Sequence, residues 1–191
     1  MAGLNELAAV NLILGNIGET PVSSLAGSAG DAYVSTALNT LNEVARTVQE
    51  EGWEFNTDSN YPLTPDISDY IVIADNMVSV DTMPGGINVT VRQGKLYNKT
   101  DRTFTFTDAL DCEVVWEFDF IDTPQYIRQY IAVRAARVFA DRQQGDQIAD
   151  ALSQDDEARA LRTAKRHDLR NADRTMFDTS NNLGRLQTRR I

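Results

Sequence analysis

The sequence of 191 residues has few of the side chains from which many functional sites are built. It contains one cysteine, Cys112, and one histidine, His167. A single cysteine excludes an intramolecular disulfide and a zinc site made of several cysteines. A single histidine excludes metal ligation by a histidine pair and weakens any Ser-His-Asp triad. We therefore expect no metal and no cofactor.

Long apolar runs are also missing. No stretch approaches the roughly 18 residues that a membrane-spanning helix needs, so we expect no membrane association. The first six residues carry no basic side chain, and we expect no secretory signal. Five prolines and eleven glycines are too few for a fibrous or disordered chain. Hydrophobic residues make up 42% and charged residues 24%, which is typical of a globular domain with an ordinary core.

Acidic and basic residues are distributed unevenly. Residues 1–158 carry 9 basic and 25 acidic side chains, a formal charge of −16, whereas residues 159–191 carry 9 and 3, a charge of +6. The net charge of −10 is opposite in sign to that of most proteins that grip duplex DNA. Two interpretations are open: a solvated acidic surface with a solvated basic end, or a basic end that docks on an acidic partner.

Helical periodicity predicts two helices in the first part of the chain, over residues 4–17 and 31–51. Each has apolar residues three or four apart, and each is followed by a glycine, Gly18 or Gly52, that is suited to a helix end. Their single apolar stripes predict that they pack against other helices.

Two further helices are predicted after residue 122. Thr123-Pro124 is expected to open the third, with Thr123 as N-cap and Pro124 at the first helical position. The fourth, over residues 146–172, begins acidic and ends basic, which complements the helix dipole.

Between the second and third helices the apolar period changes to two, which predicts an antiparallel β region. Gly94-Lys95 connects two alternating runs as a hairpin. One long strand is expected to carry on its dry face Cys112, Val114, Trp116, Phe118 and Phe120. The predicted fold class is α+β, a four-helix bundle with an inserted β region. The predicted domains are a helical bundle from 1–52 and 123–172, a β-rich insertion from 53–122, and a C-terminal tail from 173–191.

Paired carboxylates on the long strand suggest a glycan hydrolase, since residues two apart lie about 6.6–6.8 Å from each other, near the spacing of inverting enzymes. A row of exposed carboxylates does not supply the desolvation that a general acid needs. We therefore predict no enzyme and keep a carboxylate-dependent glycan hydrolase as the alternative. Its candidate residues are Asp111, Glu113, Glu117 and Asp119.

Three stretches of the chain carry a family resemblance. The first, residues 9–25, is a helix closing in Ile-Gly-Glu-Thr-Pro-Val-Ser-Ser-Leu; the second is Gly52-Trp53-Glu54-Phe55-Asn56, followed by Leu63-Thr64-Pro65-Asp66. The third is Thr123-Pro124 before residues 126–131, with residues 135–139 further on, and the acidic residues 155–158 fit the last helix. Together they resemble the tail tubular protein A family, the head-to-tail adaptors of short-tailed bacteriophages of the T7 type.

The resemblance implies a structural virion protein of the phage tail, made in the host cytoplasm. Such adaptors form a dodecameric ring beneath the portal, carry the nozzle (tail tubular protein B), and help to seat the tail fibres. Genome DNA passes through the channel during ejection, and an acidic lining would leave duplex DNA free to slide. The alternatives that remain are a tail-associated glycan hydrolase and a free acidic protein that mimics nucleic acid or binds a host factor.

The family's C-terminal segment engages the portal, and we assign this role to residues 173–191. The segment is polar and basic, it has no apolar core of its own, and such a segment can fold on docking. The residues predicted to bind the portal are Arg174, Phe177, Leu183, Arg185, Leu186, Arg189, Arg190 and Ile191.

Overall fold

Two helices, five strands and two further helices follow one another along the chain. The computed structural model describes residues 3–26, 31–144 and 147–172, with backbone alone for residues 144 and 147–153. The helices are α1 (Glu6–Asn16), α2 (Ala32–Gln49), α3 (Gln125–Gln144) and α4 (Gln147–Asn171). The strands are β1 (Thr57–Leu63), β2 (Met77–Thr82), β3 (Val89–Arg92), β4 (Lys95–Asn98) and β5 (Leu110–Trp116). The α+β prediction is confirmed.

The end of α1 is set by Gly18, as predicted. Gly18 has a φ of +81°, in the left-handed region that a residue with a Cβ atom adopts only under strain. The Glu19 N–H then donates to the Leu14 carbonyl at 3.0 Å, which satisfies a carbonyl of the last turn. The chain therefore reverses direction immediately after the helix.

The segment after this turn is held on α1 by Asn11. Its side-chain amide donates to the Val22 carbonyl at 2.9 Å and accepts from the Val22 N–H at 2.8 Å. One half-buried side chain thus pairs with both backbone groups of a residue in a segment that has no strand partner.

Helix α3 is the centre of the helical part, because it packs against α1, α2 and α4. Its fully buried side chains include Ile127, Ile131 and Phe139. Helix α1 runs parallel to α3, since Leu4 contacts Gln125 and Arg128 at one end and Asn16 donates to the Ala136 carbonyl at the other. A groove separates α1 from α4 on the surface of α3. The four-helix bundle is therefore not confirmed in that detail.

The β region has a core of its own. β5 lies between β1 and β2 in an antiparallel sheet, and β3 and β4 form the predicted hairpin, with Gln93 and Gly94 at positive φ in its turn. Cys112 is fully buried in this core, and burial raises the pKa of its thiol, followed by the negative charges of Asp111 and Asp81. Its predicted role as a small core residue is confirmed.

The predicted long strand is wrong beyond residue 116. β5 ends at Trp116, Phe118 is exposed, and Phe120 is buried in the helical core rather than the β core. The physical reason is Gln49 of α2, whose amide donates to the Phe118 carbonyl at 3.0 Å and accepts from the Phe118 N–H at 2.9 Å. A side chain from the helical part thus occupies the backbone groups that a continuing strand would pair.

The predicted N-cap at Thr123 is also wrong. The Thr123 hydroxyl donates to the Phe120 carbonyl at 2.9 Å, which ties it to the preceding turn. The first carbonyl to accept from α3 belongs to Pro124, from the N–H groups of Ile127 and Arg128. Thr123 therefore closes the connection from β5 rather than capping α3.

A second buried amide, Asn56, joins the two parts of the molecule. It lies in the short 3₁₀ helix Glu54–Asn56 and is 1% exposed. Its side chain donates to the carbonyls of Gln49 at 3.0 Å and Trp116 at 2.7 Å, and accepts from the Trp53 N–H at 2.8 Å. The end of α2, the start of β1 and the end of β5 therefore meet on one side chain.

We predict that Asn56→Ala destabilises the protein by about 3 kcal/mol, because the Trp116 carbonyl and the Trp53 N–H lose the Asn56 side chain as partner, at about 1–3 kcal/mol for each group, while the Gln49 carbonyl keeps the Gly52 N–H at 3.1 Å. The free energy of unfolding in urea measures this. Asn42→Ala, at an exposed position of α2, is the matched control and should change it by less than about 0.5 kcal/mol. Equal losses in the two variants would contradict the role given to Asn56.

Candidate interaction surfaces

The C-terminal end of α4 is fixed to its neighbours. Asn171 donates to the Tyr126 hydroxyl at 3.1 Å, and the Tyr126 ring stacks on His167 with centroids 5.4 Å apart. Asp168 accepts from the Glu54 N–H at 3.1 Å. Burial raises the pKa of Tyr126, against the opposing effect of the hydrogen bond from Asn171. The chain therefore leaves α4 at a defined point on the surface of α3.

The middle of α4 is held on α3 by charges. Glu157 pairs with Arg137 and lies 3.7 Å from the Arg134 Nε. Arg134 also donates to Glu51 at 3.0 Å and to the Tyr130 hydroxyl at 2.9 Å. Among the described side chains of α4, only Ala164 is fully buried. Ala160 and Leu161 are half-buried beside it, so a short apolar stripe and ion pairs together attach α4.

The groove between α1 and α4 is an open cleft of about 750 Å³ with α3 as its floor. Leu12, Val133, Ala136 and Ala160 give it an apolar lining, and Tyr126 and His167 lie at the end where α4 stops. Arg137, Asp156 and Arg159 lie toward the other end. A cleft of this size and lining is large enough to bind a small molecule or a short peptide segment.

The carboxylates behind the hydrolase alternative do not share one strand. Glu117 lies after β5 and pairs with Arg46 of α2 at 3.0 Å. Glu113 lies on β5 opposite Asp81 of β2. Asp111 and Glu113 therefore keep the predicted spacing on β5, whereas Glu117 and Asp119 lie beyond its end and the predicted row of four is not found.

The described part of the chain offers neither a metal-binding cluster nor a membrane-spanning helix. It contains no group of three or more His, Cys, Asp or Glu side chains that could hold a metal ion. Within the same residues, no helix is both long and apolar enough to span a membrane.

The residues predicted to bind the portal all lie in 173–191, outside the described residues. The structure therefore gives the place where this segment begins, next to Asn171 and Tyr126, and no contact of the predicted residues themselves.

The model of the tail tubular protein family matches residues 7–174, which is most of the chain. The chain belongs to the tail tubular protein family. It is therefore a structural protein of a phage tail, and the resemblance inferred from its motifs is confirmed. No curated protein matches the chain at a significant level. The family match includes Arg174 and ends before the other predicted portal-binding residues.

In this tail tubular protein, the motifs that carry the family resemblance contain turns and hydrogen bonds that connect its secondary-structure elements. Residues 17–25 contain the Gly18 turn and Val22, which Asn11 binds. Residues 52–56 contain the Gly52 turn, at a φ of +71°, and Asn56. These stretches are recognisable in the sequence, whereas the roles of Asn11, Gln49 and Asn56 are not evident from it. The sequence signal for such a role is an Asn or Gln beside the apolar residues of a helix or at the end of the helix.

We predict that Glu157→Gln loosens α4 from α3, because Arg134 and Arg137 then lose their shared carboxylate. The Glu157 side chain is 17% exposed, so the loss in unfolding free energy should be about 2 kcal/mol. Hydrogen exchange of α4 amides should accelerate in parallel.

The neighbouring residue provides the matched control for this prediction. Asp156 pairs with Arg159 at 3.6 Å, with side chains 66% and 68% exposed, so Asp156→Asn should cost less than about 0.5 kcal/mol. If the two variants lost the same stability, the attachment of α4 would not depend on Glu157.

Proposed function

We propose that this tail tubular protein is a ring-forming adaptor that joins the portal of a short-tailed phage to the tail nozzle. The family match over residues 7–174 carries the proposal, together with motifs in the order that resembles tail tubular protein A. The ring is a dodecamer, the nozzle is tail tubular protein B, and the tail fibres are seated against this assembly. The protein is made in the host cytoplasm and acts in the virion without enzymatic activity.

A fixed relation between the helical and β parts supports an adaptor role. The two parts have separate cores and are joined through Gln49 and Asn56, whose amides bridge α2, β1 and β5. A protein that contacts different rings at its two ends needs such a joint, because a loose joint would let one contact form without placing the other.

The charge of the β region supports unhindered passage of DNA. Residues 53–122 carry 13 acidic and 4 basic side chains. Two of the basic groups lie against aromatic rings, Arg92 over Tyr97 at 4.1 Å and Lys95 over Tyr70 at 3.7 Å. A duplex with about one negative charge per 1.7 Å is repelled by such a surface, so a channel lined by acidic residues lets DNA slide.

We propose that residues 173–191 dock on the portal. The segment carries Arg174, Arg185, Arg189 and Arg190 with apolar residues between them, and it starts from the anchored end of α4. Because the segment starts from a fixed point, it searches a smaller volume for its binding site on the portal. Its arginines favour an acidic partner surface.

Deletion of residues 173–191 should abolish ring assembly on purified portal, as seen by electron microscopy, because the segment supplies the docking contacts. Circular dichroism and thermal unfolding of the truncated protein establish that the remaining chain is folded. Assembly on the portal by a folded truncated protein would overturn the docking proposal.

A charge reversal tests the electrostatic part of docking. Replacing Arg185, Arg189 and Arg190 together by Glu should weaken portal binding, and more strongly at 50 mM than at 500 mM salt, conditions chosen because the screening length falls from about 14 to about 4 Å. The matched control reverses three exposed charges of α4 instead, Arg162, Lys165 and Arg166. Equal binding by both triple variants at low salt would count against electrostatic docking.

A further inference from the structure

We propose that the cleft between α1 and α4 binds residues 173–178 of the same chain, with Met176 and Phe177 on its apolar floor. This contact goes beyond portal docking and does not require the portal. It would hold the start of the tail on its own subunit before assembly.

The apolar part of the cleft favours an occupant with apolar side chains. Its lining includes Leu12 from α1, Val133 from α3 and Ala160 from α4, and its apolar surface exceeds its polar surface. A volume of about 750 Å³ is more than one side chain fills, so the occupant is a segment with at least two apolar residues.

The position of the chain exit selects the occupant. α4 ends at Asn171, which donates to the Tyr126 hydroxyl, and Tyr126 and His167 line the near end of the cleft. The first apolar side chains after this exit are Met176 and Phe177, preceded by the polar residues 173–175. The described N-terminal end is also close, since the Leu4 N–H donates to the lining residue Gln125 at 2.7 Å, but Met1 is the one large apolar side chain of residues 1–3, whereas 173–178 carries two in succession.

The distances agree with this choice. The cleft follows α3 from Tyr126 to Arg137, which at 1.5 Å per residue is about 16 Å. Phe177 is five residues beyond Ala172, so an extended chain lets it reach at most about 17 Å. A segment that turns back along α4 therefore places Met176 and Phe177 over the middle of the cleft.

Charge at the far end of the cleft fits the next residue. Arg159 is 68% exposed and lies 3.6 Å from Asp156, a loose surface pair. In the proposed contact Asp178 follows Phe177 one residue nearer to this end, within reach of the long Arg159 side chain. Arg159 therefore offers Asp178 a charge partner once Phe177 is bound.

Covalent linkage favours binding within one chain over binding to a second copy. A segment tethered a few residues from its site has an effective concentration in the millimolar range. A second copy at micromolar concentration competes poorly with it. Portal docking would then compete with the cleft for Phe177, and the cleft would keep this side chain covered until a stronger partner arrives.

Disulfide trapping in the full-length protein tests the proposal without the portal. Thr163 lies on the α4 side of the cleft, and Leu169 is an exposed α4 residue outside it and closer to the exit along the chain. The test variants combine Met176→Cys with either Thr163→Cys or Leu169→Cys; the native Cys112 is fully buried and stays in place. The rate of intrachain disulfide formation is measured at low micromolar protein.

Binding in the cleft predicts that the Thr163→Cys pair forms at least five times faster than the Leu169→Cys pair, although its partners are further apart in sequence. Adding Phe177→Asp should reduce the faster rate at least fivefold. A rate for Leu169→Cys equal to or above that for Thr163→Cys would overturn the proposal, as would disulfides that form mainly between chains.

The trapping result and the portal result can fail separately. An intrachain disulfide at the cleft, in a protein whose deletion of 173–191 leaves portal assembly unchanged, supports the cleft contact and overturns docking. Portal assembly that needs 173–191, in a protein without selective trapping, supports docking and overturns the cleft contact.

Discussion

The rest of the structure depends on the hydrogen bonds that two buried amides, Gln49 and Asn56, make with the backbone where the chain passes between its two cores. At such a crossing neither helix nor sheet can supply partners for every N–H and C=O, and each buried group without a partner costs about 1–3 kcal/mol. Gln49 resolves this for Phe118, and Asn56 for the Trp116 carbonyl at the end of β5 and for the Trp53 N–H. These bonds are directional, so they also fix the angle between the two cores. Apolar contact alone would leave that angle less defined.

This constraint also explains which features could be predicted from the sequence. The helices, the hairpin at Gly94 and the Gly18 turn depend on residues within a few positions of one another, and periodicity or backbone conformation reveals them. The end of β5 depends on Gln49, which is 69 positions from Phe118 in the sequence. The alternation of aromatic residues continued through Phe120, so the local pattern predicted a longer strand. The Thr123 prediction is wrong for a different reason: the Phe120 carbonyl is only three positions before it, and a Thr-Pro pair does not show whether the hydroxyl bonds to the preceding turn or to the following helix.

The groove between α1 and α4 could not be predicted from the sequence either. Four amphipathic helices predict mutual burial but do not say which pairs touch. α4 packs on α3 through Ala160, Leu161 and Ala164, and the Glu157 carboxylate pairs with arginines of α3. α1 packs with α2 and α3 instead, so the α3 surface between α1 and α4 stays open. The predicted portal-binding residues lie in 173–191, so the described structure gives only the point from which that segment starts.

The charge division has a consequence for docking. The segment 173–191 has four arginines and two aspartates, a charge of +2, and residues 1–172 have a charge of −12, so the segment is attracted to its own subunit and to every copy around it, as well as to an acidic portal surface. At physiological salt, attraction between exposed charges falls off within about 8 Å, so the net charge alone does not distinguish among several acidic surfaces. Selection therefore has to come from apolar side chains that fit a shaped site, such as Phe177, Leu183 and Leu186. In the proposed docking, the arginines raise the rate of encounter with a partner surface. The few apolar residues between them determine which surface the segment binds stably.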